Sequence, residues 1–178
     1  AFGLTNTNRL IRFYKGATGL KTGSTSKAKF CISASAERDG LGLVAVIMGS
    51  PTRDVRNAAA ASLLDFGFAN YAFLQKESEA KADIPVKGGV KNTLSTVSEG
   101  FSQVIDKGAD KKLTAETVLP ESVAAPVKKG DKIGEIIYKI DGTELGRANI
   151  VADEDIEKIS FFTLLPRMFK TMIGAKRG

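Results

Sequence analysis

Two apolar runs flank a tight turn in the stretch that decides the fold, AKFCISASAERDGLGLVAVIMG, residues 28–49. The runs 28–36 and 41–48 are rich in residues that favour strands, and Asp39-Gly40 stands between them. An Asp-Gly pair suits a two-residue hairpin turn because both of its positions favour positive φ. The stretch therefore predicts a β-hairpin.

A helix is predicted directly after the hairpin. Thr52 is a candidate N-cap, and Ser50 with Pro51 at the first helical position is the alternative. We expect about four turns, with Gly67 near the end and an apolar face packed on the hairpin. The apolar residues at helical spacing are Val55, Ala59, Leu63 and Phe66. Upstream, residues 9–14 have the composition of a strand.

The residue composition changes after residue 74, and the residues that follow are predicted to form a second, β-rich domain. Short β-prone runs alternate with turn residues, and Asp141-Gly142 marks another hairpin. Strands at such regular spacing suggest a small sandwich or barrel. We place the domain boundary near residues 74–78. The predicted strands are residues 80–86, 92–97, 115–119, 133–140 and 143–151.

Charge and composition exclude several classes of protein. The net charge is +6, but residues 158–178 hold five basic side chains and no acid, and the remaining 157 residues carry 21 basic and 20 acidic ones. A nearly neutral body argues against a nucleic-acid-binding surface. The chain has no His and one cysteine, Cys31, which we interpret as a small buried apolar side chain. We predict neither a metal site nor a cofactor.

A Gly-rich stretch, GATGLKTGSTSKAKF, occupies residues 16–30. It does not fit a phosphate-binding loop, because Leu20 and not Gly stands directly before Lys21. Lys21-Thr22-Gly23 instead matches one of three signatures of penicillin-recognising serine enzymes. In that chemistry Lys supplies a cation, Thr orients the substrate, and Gly leaves the strand edge open because it has no Cβ. The tripeptide alone also fits an ordinary exposed lysine followed by turn residues.

The surroundings of the tripeptide, residues 6–71, carry a family resemblance. The residues on which it rests are Asn6, Asn8, the run 16–23, Thr25, Ala28, Ser33-Ala34, the AVIMG strand, Arg56 and LLDFGF. With these residues the stretch resembles the low-molecular-mass penicillin-binding proteins, and within them the D-alanyl-D-alanine carboxypeptidases of spore-forming Gram-positive bacteria. Residues 75–157 resemble, more loosely, the β-rich C-terminal domain of these enzymes, and the tail resembles their membrane-anchoring segment.

The resemblance implies an α/β (α+β) fold in three parts. Residues 1–74 would be the C-terminal part of a transpeptidase-like catalytic domain, residues 75–157 an all-β, sandwich-like domain, and residues 158–178 an amphipathic membrane-anchoring helix. The implied enzyme removes the terminal D-Ala from peptidoglycan stem peptides through an acyl-enzyme and is acylated by β-lactams. Its implied location is extracytoplasmic, peripheral on the outer face of the cytoplasmic membrane.

The resemblance also implies a site. Lys21 would be the catalytic cation, Gly23 and Ser24 would form the strand edge that pairs with the peptide, and Thr25 would help to bind the terminal carboxylate. Some members place a carboxylate-binding Arg upstream of this Lys. Here Thr7 occupies that region and Arg9 lies nearby, so that either or neither takes the role. The implied substrate-binding residues are Lys21, Thr22, Gly23, Ser24 and Thr25.

The nucleophile of such an enzyme is missing from its expected setting. A working S-x-x-K opens a buried helix, where Ser and Lys face one cleft. The formal matches lie in the polar loop or the linker; they are Ser24–Lys27, Ser26–Lys29 and Ser78–Lys81. We therefore interpret the chain as the C-terminal portion of the enzyme, inactive alone, which self-associates or pairs with a separate N-terminal portion. A non-catalytic β-rich adaptor at the membrane surface is the alternative.

The tail ISFFTLLPRMFKTMIGAKRG, residues 159–178, is amphipathic when drawn as a helix, with Pro166 as a weak point. Its cations and its length suit the plane of an anionic membrane surface better than a bilayer span. A helix packed on the protein body is the alternative. The predicted membrane-contacting residues are Phe161, Phe162, Leu165, Met168, Phe169 and Met172.

Overall fold

The protein is mostly β with few helices in the computed structural model, which describes Gly3 and residues 6–160. Within these residues the helices are α1 (Leu10–Phe13), α2 (Arg53–Asn70) and a short 3-10 helix, Ala109–Lys112. The strands are β1 (Ala17–Thr25), β2 (Lys29–Arg38), β3 (Leu41–Ser50), β4 (Tyr71–Lys76), β5 (Ile84–Lys87), β6 (Thr93–Leu94), β7 (Thr96–Ser98), β8 (Phe101–Asp106), β9 (Leu113–Val118), β10 (Val123–Ala124), β11 (Lys132–Ile140) and β12 (Thr143–Ala152).

The chain divides into two compact units. Within the described residues, the first comprises the chain up to Leu74 together with Gln103–Lys111, and the second comprises Gln75–Ser102 with the chain from Lys112 onward. The return of Gln103–Lys111 to the first unit was not anticipated from the sequence. Strands β4 and β8 pair in a two-stranded sheet.

An antiparallel sheet in the order β1-β2-β3 forms the frame of the first unit. The β2–β3 hairpin is confirmed, and its turn residues Asp39 and Gly40 have φ values of 51° and 77°. Positive φ at both positions is what the predicted turn requires. One face of the sheet contributes Ile32, Ala34 and Ala45 to the core of this unit.

Helix α2 begins where the sequence indicates. The side chain of Thr52 accepts a hydrogen bond from the backbone N–H of Val55 at 3.2 Å, so Thr52 is the N-cap and the alternative start at Ser50 is wrong. The helix has 18 residues, or about five turns, one more than expected.

The prediction of which face of α2 packs on the hairpin was wrong. Leu63 and Phe66 are 48% and 59% exposed, Val55 is also exposed, and Ala59 is half-buried. Small residues on α2 allow its close contact with β3. At Gly67 even a Cβ would lie only 2.5 Å from Leu43 Cδ1. The residues of α2 that are buried are Arg56, Ala60, Leu64, Gly67 and Phe68.

The predicted strand at residues 9–14 is wrong, since Leu10–Phe13 forms the one-turn helix α1. The side-chain oxygen of Asn8 accepts a hydrogen bond from the backbone N–H of Leu10 at 3.1 Å. Such a local bond turns the chain and competes with an extended conformation. The turn buries Leu10, which joins the core of the first unit.

The second unit contains a four-stranded antiparallel sheet, β7-β12-β11-β9, and a three-stranded sheet, β10-β5-β6. Its second predicted hairpin is confirmed, with φ values of 49° at Asp141 and 78° at Gly142. On the four-stranded sheet, the rings of Phe101 and Tyr138 stack with centroids 4.5 Å apart, above Gly146, where a Cβ would meet Phe101 at 2.7 Å.

The predicted strands of this unit vary in accuracy. The strands at 133–140 and 143–151 are confirmed to within one residue, and β9 begins slightly earlier than predicted. The run 92–97 is divided into β6 and β7 at Ser95, whose carbonyl accepts from the backbone N–H of Asp153. The run 80–86 forms a strand only from Ile84, apart from a single β-bridge between Ala80 and Val97, and β4 and β8 were missed.

The predicted amphipathic helix and its membrane-contacting side chains, Phe161 to Met172, lie outside the described residues. Among the residues that the structure does describe, no helix combines the length and the apolarity that a bilayer crossing needs.

Candidate active site

The K-T-G tripeptide lies on an edge strand. Within the described residues, β1 pairs with β2 alone, in a register that sets Lys21 opposite Ser33 and Gly23 opposite Cys31. The backbone along the other side of β1 therefore has no strand partner in this part of the chain. Such an edge can pair with an extended peptide through main-chain hydrogen bonds.

A cavity of about 420 Å³ opens beside this edge. Three segments of the first unit line it: the K-T-G part of β1, the segment before α1 and the first turns of α2. The lining residues are Lys21, Thr22, Gly23 and Ser24 from β1, Asn6, Thr7 and Arg9 from the segment before α1, and Arg53, Arg56 and Asn57 from α2.

The side chains of Lys21 and Thr22 are each positioned by a hydrogen bond. The hydroxyls of Thr7 and Thr22 share a hydrogen bond, with 2.8 Å between the two Oγ1 atoms. The ammonium of Lys21 donates to the backbone carbonyl of Thr22 at 2.9 Å and is otherwise exposed. The Lys21 ammonium therefore contacts the Thr22 backbone, while the Thr22 hydroxyl contacts Thr7, and both residues line the cavity.

Arg56 is the buried cation of the cavity, only 4% exposed. Its Nε and Nη2 donate to the side-chain oxygen of Asn57 at 3.1 and 2.9 Å, and its Nη1 donates to the carbonyl of Cys31 at 3.4 Å. Burial, followed by the nearby charge of Arg53, lowers the pKa of Arg56. Because none of these partners is an acid, the positive charge is left for a ligand to neutralise.

The charge of the cavity is strongly positive. Of the described residues that line it, four are cations and none is an acid. Of these cations, Arg9 alone has an acidic contact within the described residues, with Asp54 at 4.0 Å, and both side chains are well exposed. An exposed pair at that distance contributes little. The arrangement therefore favours an anionic ligand, such as a carboxylate or a phosphate.

Most of the site residues inferred from the sequence line this one cavity, including both upstream candidates, Thr7 and Arg9. Thr25 does not line it, because its hydroxyl accepts from the backbone N–H of Ala28 at 2.9 Å in the turn between β1 and β2. Cys31, interpreted as buried, is half-buried, and its thiol donates to the carbonyl of Ala28.

Sequence reasoning assigned no role to the residues that α2 contributes. Arg53, Arg56 and Asn57 stand at i, i+3 and i+4, so they share one side of the helix. That spacing directly after the Thr52 cap is the signal that could have found them.

The S-x-x-K matches are not arranged as a nucleophile and base. Ser24 lies within β1 and Ser26 lies in the turn that follows it. Ser78 donates to the carbonyl of Ser98 at 2.6 Å, and Lys81 pairs with Glu79 at 3.1 Å. None of the three begins a helix in the part of the chain that the structure describes.

Comparison with known families assigns the chain to one class of enzymes. Residues 1–52 match the family described as D-alanyl-D-alanine carboxypeptidase. Residues 68–158, just over half of the chain, match the family described as Penicillin-binding protein 5, C-terminal domain. The chain belongs to the low-molecular-mass penicillin-binding proteins of the D-alanyl-D-alanine carboxypeptidase type.

Individual relatives agree with this assignment. The D-alanyl-D-alanine carboxypeptidase DacF of Bacillus subtilis is 38% identical over 170 residues, which cover 93% of this chain and 44% of that protein. DacA of Haemophilus influenzae is 34% identical over 151 residues, 81% of this chain and 38% of that protein. The crystal structure of penicillin-binding protein 5 from Haemophilus influenzae matches with a TM-score of 0.68 and 29% identity, over 84% of this chain and 45% of that one. The chain thus spans less than half the length of these relatives.

Proposed function

We propose that this chain supplies the K-T-G wall of the active site of a serine-type D-alanyl-D-alanine carboxypeptidase. The whole enzyme removes the terminal D-Ala from peptidoglycan stem peptides through an acyl-enzyme, and β-lactams acylate it. The observation that carries the proposal is the cationic cavity beside the edge of β1, which Lys21 and Thr22 both line. The names of the relatives support the activity.

The geometry suggests a role for each part of this wall. The edge of β1 pairs with the extended peptide, and Gly23 lets the two backbones approach closely. Thr22 directs its hydroxyl to the substrate, and Lys21 and Arg56 attract the terminal carboxylate. Lys21 also lowers the energy of the negative charge that develops as the acyl-enzyme forms. We keep Ser24 as part of the strand edge and Thr25 as a weaker candidate, because Thr25 does not line the cavity.

The remaining parts of the cleft, including the nucleophilic Ser, are proposed to come from another portion of the same enzyme. Apolar side chains on the first unit support this. Val44, Val46 and Met48 project from β3, and Met48 is 78% exposed. Leu63 and Phe66 on α2 are exposed as well. Ala45, which is buried with α2, alternates with the three β3 side chains, so these lie on the sheet face away from α2, whereas Leu63 and Phe66 lie on the outer side of the helix. Each of these two exposed apolar surfaces is of the kind that another part of a protein commonly covers.

We further propose that the enzyme is extracytoplasmic and peripheral on the outer face of the membrane. This proposed location is supported by the amphipathic pattern of residues 159–178, whose cations suit an anionic lipid surface. The apolar side chains named above, from Phe161 to Met172, would enter the interface.

A chimera with DacF tests the catalytic proposal, with residues 1–178 replacing the matching segment of that relative. We expect fluorescent penicillin to label the chimera, and Lys21→Ala to slow labelling by about 100-fold or more, because an electrostatic contact to the reacting atoms is lost. Lys27→Ala is the matched control, since Lys27 is exposed and does not line the cavity.

The second part of the test uses the 178-residue chain without the portion that DacF supplies in the chimera. Intact mass after incubation with penicillin should show no covalent adduct, because no S-x-x-K begins a helix in the described residues. A stable adduct on Ser24, Ser26 or Ser78 would contradict the proposal. So would a folded chimera that stays unlabelled, or labelling of Lys21→Ala at the parent rate.

A further inference from the structure

Three cations of the cavity have no acidic partner among the described residues. Lys21 bonds a backbone carbonyl, Arg56 bonds an amide and a carbonyl, and Arg53 has only an aromatic contact. One terminal carboxylate neutralises one of these charges and leaves the others facing each other. The proposed substrate, with a single carboxylate at its end, therefore does not account for the whole positive charge of the site.

The two arginines of α2 are placed in sequence along the edge of β1. Arg56 donates to the carbonyl of Cys31, which pairs with Gly23. The guanidinium of Arg53 lies 5.7 Å from the ring centroid of Phe30, and Phe30 pairs with Ser24. One residue step along a strand is about 3.3 Å. Arg53 therefore stands further than Arg56 toward the C-terminal end of β1.

This order fits a peptide that runs antiparallel to β1. If its terminal carboxylate lies at Lys21 and Arg56, its preceding residues extend past Ser24 toward the end of the strand. A side chain two residues before the C-terminus then approaches Arg53, because successive residues advance by the same step on both strands. An acidic side chain there would pair with an arginine that has no other acid.

We infer that Arg53 forms a subsite for a second carboxylate, carried by the residue that precedes the terminal D-Ala-D-Ala. The substrate class is a peptide with two negative charges, one at its C-terminus and one on that side chain. The inference rests on the proposed function. Arg53 acts here as a specificity-determining residue and not as a catalytic one, since its charge is aimed at a side chain of the ligand.

The test compares three peptides in NMR titrations of the 178-residue chain at low ionic strength. They are acetyl-L-Glu-D-Ala-D-Ala, acetyl-L-Gln-D-Ala-D-Ala and the C-terminal amide of the Gln peptide. We expect the Glu peptide to bind about threefold more tightly than the Gln peptide, the size of effect that an exposed ion pair produces. The preference should vanish in Arg53→Gln, remain in Arg53→Lys and shrink at high salt.

Arg12→Gln is the matched control, because Arg12 is an exposed arginine of the same unit that does not line the cavity. It should keep the preference for the Glu peptide. Equal binding of the Glu and Gln peptides, or a preference that survives in Arg53→Gln, would overturn the inference. If the Gln peptide also binds no better than its C-terminal amide, the carboxylate site of the proposed function fails as well. If the Gln peptide still binds more tightly than its C-terminal amide, the carboxylate site of the proposed function stands and only the second subsite fails.

Discussion

The substitution Leu64→Ala tests which face of α2 packs against the sheet. Leu64 is 1% exposed and belongs to the core that α2 shares with Ile32, Ala34 and Ala45. Its neighbour Leu63 is the residue that the sequence pattern places on the packed face, and it is 48% exposed. The two leucines therefore form a matched pair of identical substitutions one position apart.

The expected cost follows from burial. Replacing Leu64 by Ala removes three buried carbon atoms, worth about 2.4 kcal/mol of transfer free energy at about 0.8 kcal/mol each. A cavity remains, because Ala34 and Ala45 are too small to fill the space, which raises the expected loss in the free energy of unfolding to about 3–4 kcal/mol. Leu63→Ala should cost about 1 kcal/mol or less, since half of its side chain already contacts water.

Urea unfolding followed by methyl NMR signals of the first unit, such as those of Ile32, separates this unit from the second. Equal losses for the two variants, or a larger loss for Leu63→Ala, would refute the packing described for α2. In the chimera with DacF, Leu63→Ala should become more costly than in the chain alone, because the added portion is proposed to cover that face.

Two further predictions concern pH and the membrane. Burial and the hydrogen bond to Asp65 raise the pKa of Tyr14 to about 12. Because the unfolded phenol ionises near pH 10, the stability that this shift contributes is complete below pH 10 and is lost toward pH 12. Tyr14→Phe should reduce the alkaline loss in stability of the first unit, and an unchanged pH profile would count against the shift. Separately, the chain should bind anionic liposomes less tightly as salt rises, and deletion of residues 158–178 should abolish binding; equal binding by the shortened chain would favour a tail packed on the protein.

The parts of the fold that could be predicted from the sequence are those set by local chemistry. Asp39-Gly40 and Asp141-Gly142 fix two hairpins, because both positions of each pair adopt positive φ. Thr52 fixes the start of α2 through a side-chain bond to the backbone of its first turn. Each signal needs only residues close in sequence, and each was found.

The parts that could not be predicted depend on distant contacts. The segment Gln103–Lys111 returns to the first unit, where the backbone N–H of Lys107 donates to the carbonyl of Asn70 and its ammonium donates to that of Phe68. The sequence of the segment itself does not indicate these two acceptors, because they lie elsewhere in the chain. The short helix α1 was missed for the opposite reason, since a single Asn8 side-chain bond overrides the β-prone composition of the residues that follow.

The packed face of α2 links the error in the core to the residues missed in the site. Leu63 and Leu64 are equally apolar, so hydrophobic periodicity alone does not choose between two faces one residue apart. The choice is made by the fit of Gly67 against Leu43, which rotates the helix and buries Ala60 and Leu64.

The same rotation places the first buried residue of the helix, Arg56, against the carbonyl of Cys31 and beside the K-T-G strand. Arg56 in the cleft and Leu64 in the core therefore lie on one face of α2. A prediction that places the wrong face of the helix in the core misses both residues. A substitution that disturbs the Gly67 contact should accordingly displace Arg56 together with Leu64, so that the charge of the site and the stability of the first unit depend on the same packing.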